Sequence, residues 1–181
     1  LGIDDSPVVM YAGNVGFSQS LELLIETARA IPNVVVLING EGAARKSLEM
    51  AAQGLVNVKF GDYQDVSRLS EVLATGDLHV VPLRRGLGSV SVPSKTYSIL
   101  AAARPICAAI DLDTEVPRIL AASNAGVCVE PDNSQAFVSA ISALIADRKT
   151  LEEMGLRGRK WVEGHASPQS VAQRYEALYT R

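Results

Sequence analysis

The stretch from Val8 to Asn39, VVMYAGNVGFSQSLELLIETARAIPNVVVLIN, decides the fold of this chain. It begins and ends in continuous apolar runs, Val8–Ala12 and Val34–Asn39, as expected for strands that are covered on both faces. Between the two runs, apolar residues from Leu21 to Ala28 recur at the i, i+3, i+4, i+7 spacing of an amphipathic helix. A strand, a helix and a second strand predict a right-handed crossover between parallel strands.

The same alternation continues towards the C-terminus. Four further apolar runs lie at Val58–Phe60, Leu78–Leu83, Pro105–Ile110 and Gly126–Val129, with helical segments between them. Six such strands predict an α/β fold, a doubly wound parallel six-stranded Rossmann-like sheet. After the last run the pattern is helical only, over about 134–147, 149–164 and 168–180, which predicts extra C-terminal helices. We therefore predict a single domain over residues 1–181.

The composition excludes several classes of protein. With 48% hydrophobic and 20% charged residues the chain is ordinary for a soluble globular domain, and its net charge of -3 argues against a nucleic-acid partner. Cys107 and Cys128 stand in apolar runs and are expected to be buried thiols in a reducing cytoplasm. His79 and His165 are far from both cysteines in sequence, so no metal site is predicted. No run approaches the roughly 20 apolar residues of a membrane-spanning helix.

Ligands of open α/β sheets bind at the carboxyl ends of the strands, which directs attention to three short loops. Gly13–Gly16 follows the first strand, Gly40-Glu41-Gly42 with Arg45 follows the second, and Phe60-Gly61-Asp62-Tyr63 follows the third. Glycines let a ligand approach the backbone, and aromatic rings can form a wall for a base. Tight turns that bind nothing and rings that pack only on the next helix remain alternatives. Arg45 replaces the third glycine of the dinucleotide-binding fingerprint, which argues against hydride transfer.

The longest irregular stretch, residues 84–95, contains two glycines, three serines and three cations. It ends at a helix that begins near Ser94 and carries Lys95 in its first turn. A cation opposes the helix dipole there unless an anion is also bound, so Lys95 is the predicted phosphate contact, against the alternative of a solvated surface lysine. Asp111, Asp113 and Glu115 follow the fifth strand and either accept hydrogen bonds from sugar hydroxyls or simply favour a helix start.

In this order and spacing, five segments resemble the retaining glycosyltransferases of family four, which have the two-domain GT-B fold. The segments are Tyr11-Ala12-Gly13-Asn14-Val15-Gly16, Gly40-Glu41-Gly42, Asn57-Val58-Lys59-Phe60-Gly61, Val92-Pro93-Ser94-Lys95-Thr96-Tyr97-Ser98 and Ala101-Ala102-Ala103-Arg104-Pro105. The fourth is similar to a bacterial surface-polysaccharide subgroup. The resemblance covers the whole chain as the C-terminal, donor-binding domain, and the missing N-terminal domain of the same protein is then its partner. The first residues, Leu1-Gly2, lack a methionine, which fits that expectation.

The resemblance implies a nucleoside-diphosphate sugar as substrate, with a UDP-sugar as the first candidate, and a glycan or lipid-linked acceptor. The full-length protein would then be cytoplasmic, peripheral at the inner face of the membrane through its acceptor. It also implies roles: the first glycine loop at the diphosphate, Arg45 and Tyr63 near the base, and Ser98 at the ribose. The predicted substrate-binding residues are Gly13, Asn14, Val15, Gly16, Gly40, Gly42, Arg45, Asp62, Tyr63, Ser91, Pro93, Ser94, Lys95, Ser98 and Glu115.

The chain departs from the family pattern at two places. Two glutamates that many relatives carry eight positions apart are replaced by Val90 and Ser98, and Phe17-Ser18-Gln19-Ser20 stands where relatives often carry an arginine and a lysine. Lys95 is therefore expected to take over the neutralisation of the diphosphate. No nucleophile–base pair is recognisable, so no catalytic residue is assigned and binding without a metal or cofactor is predicted.

Two other functions remain open at this point: a sugar-nucleotide epimerase of the same architecture and a non-catalytic nucleotide-binding module. The last helix carries an apolar stripe, Val171, Tyr175, Leu178 and Tyr179. In GT-B relatives this helix packs on the N-terminal domain. Alone, the stripe is expected to fold onto this domain or to stay partly exposed and to favour self-association of the fragment.

Overall fold

The structure is a computed structural model and describes residues 5–179. Six strands form one sheet in the order β3-β2-β1-β4-β5-β6, and all neighbouring pairs are parallel. The predicted doubly wound parallel sheet is confirmed. The strands are β1 (Val8–Ala12), β2 (Val35–Asn39), β3 (Val58–Gly61), β4 (Leu78–Pro82), β5 (Ile106–Ala109) and β6 (Gly126–Val129).

Helices connect the strands and continue after the last one. They are α1 (Glu22–Ala30), α2 (Arg45–Ala51), α3 (Leu69–Ala74, preceded by a 3-10 turn at Val66–Arg68), α4 (Lys95–Ala101), α5 (Glu115–Ser123), α6 (Ser134–Ile145), α7 (Arg148–His165) and α8 (Pro168–Tyr179). The last three agree with their predicted bounds to within two residues, although the predicted end at Thr180 lies outside the described residues. Within residues 5–179, no helix is both long and apolar enough to cross a bilayer.

The core lies on both faces of the sheet. Side chains alternate between the faces along each strand, so that Tyr11 points towards α1 and α6 while Met10 points towards α3. Phe137 and Ile141 of α6 complete the first layer, and on the other face α4, α5 and α7 pack on β4 and β5. Burial on both faces explains why the strands read as continuous apolar runs.

The two cysteines are free thiols on neighbouring strands. Cys107 of β5 is buried as predicted, whereas Cys128 of β6 is half-buried because β6 is the edge strand of the sheet. Burial raises the pKa of the Cys128 thiol to about 11 and raises that of Cys107 further.

The strand order reverses between β1 and β4, which lie side by side although the chain visits β2 and β3 between them. The loops that follow β1 and β4 diverge there and leave a crevice above the sheet edge. This is the position at which open α/β sheets bind ligands. The fold therefore brings together residues 13–21 and 83–95, which are far apart in sequence.

The apolar stripe of α8 is exposed. Tyr175, Leu178 and Tyr179 are exposed, and Val171, which is also exposed, lines a surface pocket together with Trp161 of α7. Of the two outcomes expected for the stripe, partial exposure is the one observed.

Candidate functional site

A cavity of about 390 Å³ opens in the crevice between β1 and β4. Six of the predicted site residues line it, from three different loops and the first turns of α4. They are Gly13, Asn14, Tyr63, Ser94, Lys95 and Ser98. The fold thus gathers residues from the first, third and fourth strand–helix connections around one space, as expected for a ligand site at the reversal of strand order.

Lys95 is the central charged group of this cavity. Its Nζ lies 3.8 Å from the centroid of the Tyr11 ring, and burial lowers the pKa of its ammonium to about 7. No carboxylate of residues 5–179 lies within ion-pairing distance of this nitrogen. The other two cations of the same loop differ, because Arg84 pairs with Glu22 at 2.7 Å and Arg85 with Glu130 at 3.2 Å. Lys95 is therefore a half-buried cation without a counter-ion among residues 5–179.

Gly13 makes room for this ammonium. A Cβ atom at Gly13 would lie 2.8 Å from Lys95 Nζ, and the φ of +137° is unfavourable for any residue with a side chain. The hydroxyl of Tyr11 donates a 2.5 Å hydrogen bond to the carbonyl of Asn14, which fixes the ring on the far side of the lysine. Gly13, the Tyr11 ring and the Lys95 side chain therefore pack against one another.

The backbone N–H groups of the first glycine loop are mostly engaged within the protein. Gly13 donates to the Asn39 carbonyl at 2.9 Å, Val15 to the Glu41 carbonyl at 2.8 Å and Gly16 to the Gln19 side chain at 3.1 Å. Helix α1 begins at Glu22, with five residues between it and this loop.

Val15 and Gly16 line neither this cavity nor the smaller one beside it. The Val15 side chain is fully buried in the core, and the predicted contact of this residue with a diphosphate stays a prediction.

Gly40 and Gly42 hold two loops together. A Cβ at Gly40 would lie 2.0 Å from the Gly13 carbonyl oxygen, and one at Gly42 would lie 2.3 Å from the Val15 carbonyl oxygen. Glycine is needed at both positions for the close approach of the loops after β1 and β2, and neither residue lines the cavity. Both glycines support the Gly13 loop, and their predicted ligand contact stays a prediction.

Arg45 and Asp62 also serve the framework. The Arg45 guanidinium pairs with Glu41, Glu49 and Asp62 at 2.7, 2.9 and 3.0 Å and donates to the carbonyl of Gly40 at 2.8 Å. These partners join the carboxyl ends of β2 and β3, so the guanidinium is not free to reach a base.

Carboxylates anchor the start of the long loop. Asp111 accepts hydrogen bonds from the N–H groups of Gly86 and Gly88 at 2.9 and 3.1 Å, and Asp132 accepts one from Arg85 at 3.1 Å. Asp111 thus holds the long loop, and its expected contact with sugar hydroxyls stays a prediction. Glu115 lies at the start of α5 and lines a surface pocket with Trp161 and His165 instead of the cavity, and its substrate contact also stays a prediction.

A second, smaller cavity of about 210 Å³ adjoins the first on the other side of Lys95. The two share Asn14, Ser94 and Lys95, and Ser91 and Pro93, which were predicted for the site, line the smaller one. Lys95 thus stands at the junction of two spaces. The arrangement suits an elongated ligand with an anionic group in its middle.

The family model for group 1 glycosyl transferases matches residues 6–147. This chain belongs to the group 1 glycosyltransferases. It is 33% identical over 143 residues to the putative colanic acid biosynthesis glycosyl transferase WcaI of Escherichia coli, an alignment that covers 76% of this chain and 35% of WcaI. The chain therefore spans about a third of the length of that relative.

Two solved structures show the same fold. The C-terminal domain of the group 1 glycosyl transferase family protein LpcC of Francisella tularensis has a TM-score of 0.69 and 18% identity, over 91% of this chain and 87% of that domain. HepE of Anabaena in complex with UDP has a TM-score of 0.74 and 18% identity, over 98% of this chain and 50% of HepE.

The residues that depart from the glycosyltransferase pattern lie in different surroundings. Ser98 lines the larger cavity, one helical turn beyond Lys95, whereas the side chain of Val90 is exposed on the loop and lines neither cavity. Both positions lack a carboxylate, so the only charged groups on the larger cavity are Lys95 and Asp65 among the described lining residues.

Sequence reasoning missed several residues of this candidate site. Asn39, Gln64, Asp65, Val66 and Leu69 line the larger cavity. Asp65 caps the 3-10 turn before α3, where its carboxylate accepts from the Ser67 N–H at 2.9 Å. A position at the end of β2 was the signal available for Asn39, whose amide donates to the Asp62 carbonyl at 2.8 Å. Gln64 and Val66 belong to the connection between β3 and α3, whose path the sequence does not specify, and Leu69 is the first residue of α3.

Proposed function

We propose that this chain is the C-terminal, donor-binding domain of a two-domain glycosyltransferase. We propose that it binds a nucleoside-diphosphate sugar, with a UDP-sugar as the first candidate. The sugar is transferred to a glycan or lipid-linked acceptor held by the N-terminal domain. One observation carries the proposal: Lys95 is a half-buried ammonium with no carboxylate partner at the junction of two cavities. A buried charge without a counter-ion in the protein is costly, and a bound anion removes that cost.

In this proposal the ligand lies along the crevice. The diphosphate lies against Lys95 Nζ and the N–H groups of Ser94 and Lys95, which have no acceptor in the described part of the protein. The nucleoside occupies the larger cavity with its base towards Tyr63 and Asp65. The donor sugar occupies the smaller cavity near Ser91.

This arrangement stabilises the leaving group. When the bond from the sugar to the diphosphate breaks, negative charge develops on the diphosphate oxygens. A fixed cation and fixed N–H dipoles in a site of low polarity stabilise that charge without reorganisation during the reaction. No step requires a metal ion, and we propose metal-independent binding.

Comparisons support the proposal in two respects. HepE of Anabaena, which shares the fold, was solved with UDP, and the matching domain of LpcC is C-terminal. The exposed stripe of α8 then has an occupant in the same protein, namely the N-terminal domain. Self-association of this chain through α8 would occur only while that domain is absent.

The epimerase alternative is weaker because its candidate carboxylates, Asp111, Asp113 and Glu115, line neither cavity. Among the described lining residues Asp65 alone carries a carboxylate, and it caps the turn before α3. A non-catalytic nucleotide-binding module shares the binding site and differs only in turnover.

Calorimetry with this chain tests the proposal. UDP, GDP and ADP are titrated beside uridine, guanosine and adenosine, with and without EDTA. At least one diphosphate is expected to bind at least tenfold more tightly than its nucleoside, unaffected by EDTA. Failure of all three diphosphates to bind would contradict the proposal.

Turnover separates the remaining alternatives. The full-length protein should release nucleoside diphosphate from the donor only when an acceptor is present, and residues 1–181 alone should release none. Conversion of the sugar without an acceptor would indicate an epimerase instead. Binding without any turnover by the full-length protein would indicate a non-catalytic module.

A further inference from the structure

The smaller cavity has an unusual balance of polar groups. Its lining side chains with charge or amide groups are Lys95, Asn14 and Gln19, and two serines, Ser91 and Ser94, add hydroxyls. None of the described lining residues carries a carboxylate. Lys95 is therefore the only charged side chain on this wall, and the charge is positive.

The orientation of the Gln19 amide is fixed by the backbone. Gly16 donates its N–H to Gln19 Oε1 at 3.1 Å, so the oxygen of this half-buried side chain faces the loop. Its Nε2 group carries two N–H donors and has no acceptor within residues 5–179. Gln19 therefore offers donors, not an acceptor, to a ligand in the cavity.

A hydroxyl of a neutral sugar can accept from these donors, but its own proton also needs an acceptor, and the Lys95 ammonium offers none. A carboxylate accepts only, and its hydrogen bonds to an ammonium and to amide N–H groups are among the stronger ones in proteins. The volume of about 210 Å³ corresponds to about seven water molecules at roughly 30 Å³ each, which suits one monosaccharide ring.

We propose that the smaller cavity selects a donor whose sugar is a hexuronic acid, that is, a sugar with a carboxylate. Gln19 determines this specificity through its Nε2 donors, together with the ammonium of Lys95. The inference rests on the proposed function, since it takes the diphosphate to lie at Lys95.

A pair of donors that share one nucleotide tests the proposal. The chain is titrated with UDP-glucose and UDP-glucuronate if it binds UDP, or with GDP-mannose and GDP-mannuronate if it binds GDP. The uronate donor is expected to bind about tenfold more tightly than its neutral partner, the effect of one charge-assisted hydrogen bond.

The variant Gln19→Glu supplies the sharper test. The glutamate still accepts the Gly16 N–H, but it places a negative charge on the cavity wall, and the preference for the uronate should disappear or reverse. The control is Gln53→Glu, which makes the same change of charge at an exposed position outside both cavities and should keep the preference.

Equal binding of both donors by the unmodified chain, or an unchanged preference in Gln19→Glu, overturns this inference alone. Loss of binding to every nucleoside diphosphate and sugar donor overturns the proposed function instead. Circular dichroism and the Tm of each variant show whether a loss reflects unfolding.

Discussion

The ammonium of Lys95 lies 3.8 Å from the centroid of the Tyr11 ring and directly beside Gly13. The ring face offers the cation an attraction of about 0.5–2 kcal/mol, which only partly offsets the loss of water around the charge. Burial accordingly lowers the pKa of Lys95 to about 7. The buried ammonium of Lys95 therefore lowers the stability of the ligand-free chain. It lies where the diphosphate of the proposed ligand would bring negative charge.

Removal of this charge should stabilise the ligand-free chain. The pKa of Lys95 is about 7 in the folded chain and about 10.4 when unfolded. Between those values the unfolded chain binds more protons, so the Lys95 contribution to the free energy of unfolding becomes more favourable as pH rises. Lys95→Met should have a higher Tm than the unmodified chain at pH 7, and this gap should narrow by pH 9.

Lys46→Met, at an exposed lysine of α2, is the control for that comparison. Its difference in Tm from the unmodified chain should stay constant over the same range. A Lys95→Met variant that is less stable at pH 7 would mean that the ammonium is well solvated.

Binding of the nucleoside diphosphate should weaken as pH rises above 7. Only the protonated form of Lys95 pairs with phosphate, and above the pKa of about 7 that proton must be taken up on binding. The Kd should rise by up to about tenfold per pH unit between pH 7 and 9, measured by calorimetry. In Lys95→Arg the side chain stays charged throughout, so the profile should be flat. Parallel profiles for the two proteins would exclude Lys95 as the titrating group.

Gly40→Ala should destabilise the fold more than Gly54→Ala. Both glycines have positive φ, +135° and +83°, which costs other residues of order 1–3 kcal/mol. At Gly40 the added Cβ would also lie 2.0 Å from the Gly13 carbonyl oxygen, whereas at Gly54 it meets nothing within 4 Å. The loss of Tm for Gly40→Ala should therefore be at least twice that for Gly54→Ala. Equal losses would mean that strain in φ alone accounts for both.

Asp111→Ala should loosen the long loop. The substitution removes the acceptor of the Gly86 and Gly88 N–H groups, so hydrogen exchange at these two amides should accelerate. Asp113→Ala, in the same turn, is the matched control and should leave their exchange unchanged. Unchanged exchange in Asp111→Ala would show that other contacts hold the loop.

The sequence predicted the fold because the fold depends on local patterns. Strands buried on both faces appear as apolar runs, and Asn133, Asp147 and Ser167 mark the starts of the last three helices through side-chain caps. Lys95 was recognisable for a local reason too, since a cation in the first turn of a helix is unfavourable without an anion.

Several predicted site residues make contacts that join distant segments. Gly40 and Gly42 were interpreted as ligand-binding glycines, and the loop that they approach is nearly 30 positions earlier in the chain. Arg45 was expected near the base, and it pairs both with Glu41 and Glu49, four positions away on either side, and with Asp62 at the end of β3. Gln19 gave no signal, because the backbone N–H that orients its amide is set by a turn and not by a motif.

Calorimetry of Lys95→Ala with a nucleoside diphosphate and with the matching nucleoside, each at pH 7, tests the central claim most directly. The claim is that Lys95 binds the phosphates, so the diphosphate should lose about tenfold or more in affinity, as expected for a charge-assisted hydrogen bond of roughly 1.5–3 kcal/mol. The nucleoside, which lacks phosphate, should be unaffected, and Lys46→Ala should change neither Kd. An equal loss for both ligands, or no loss for either, would contradict the account and leave Lys95 as a structural residue.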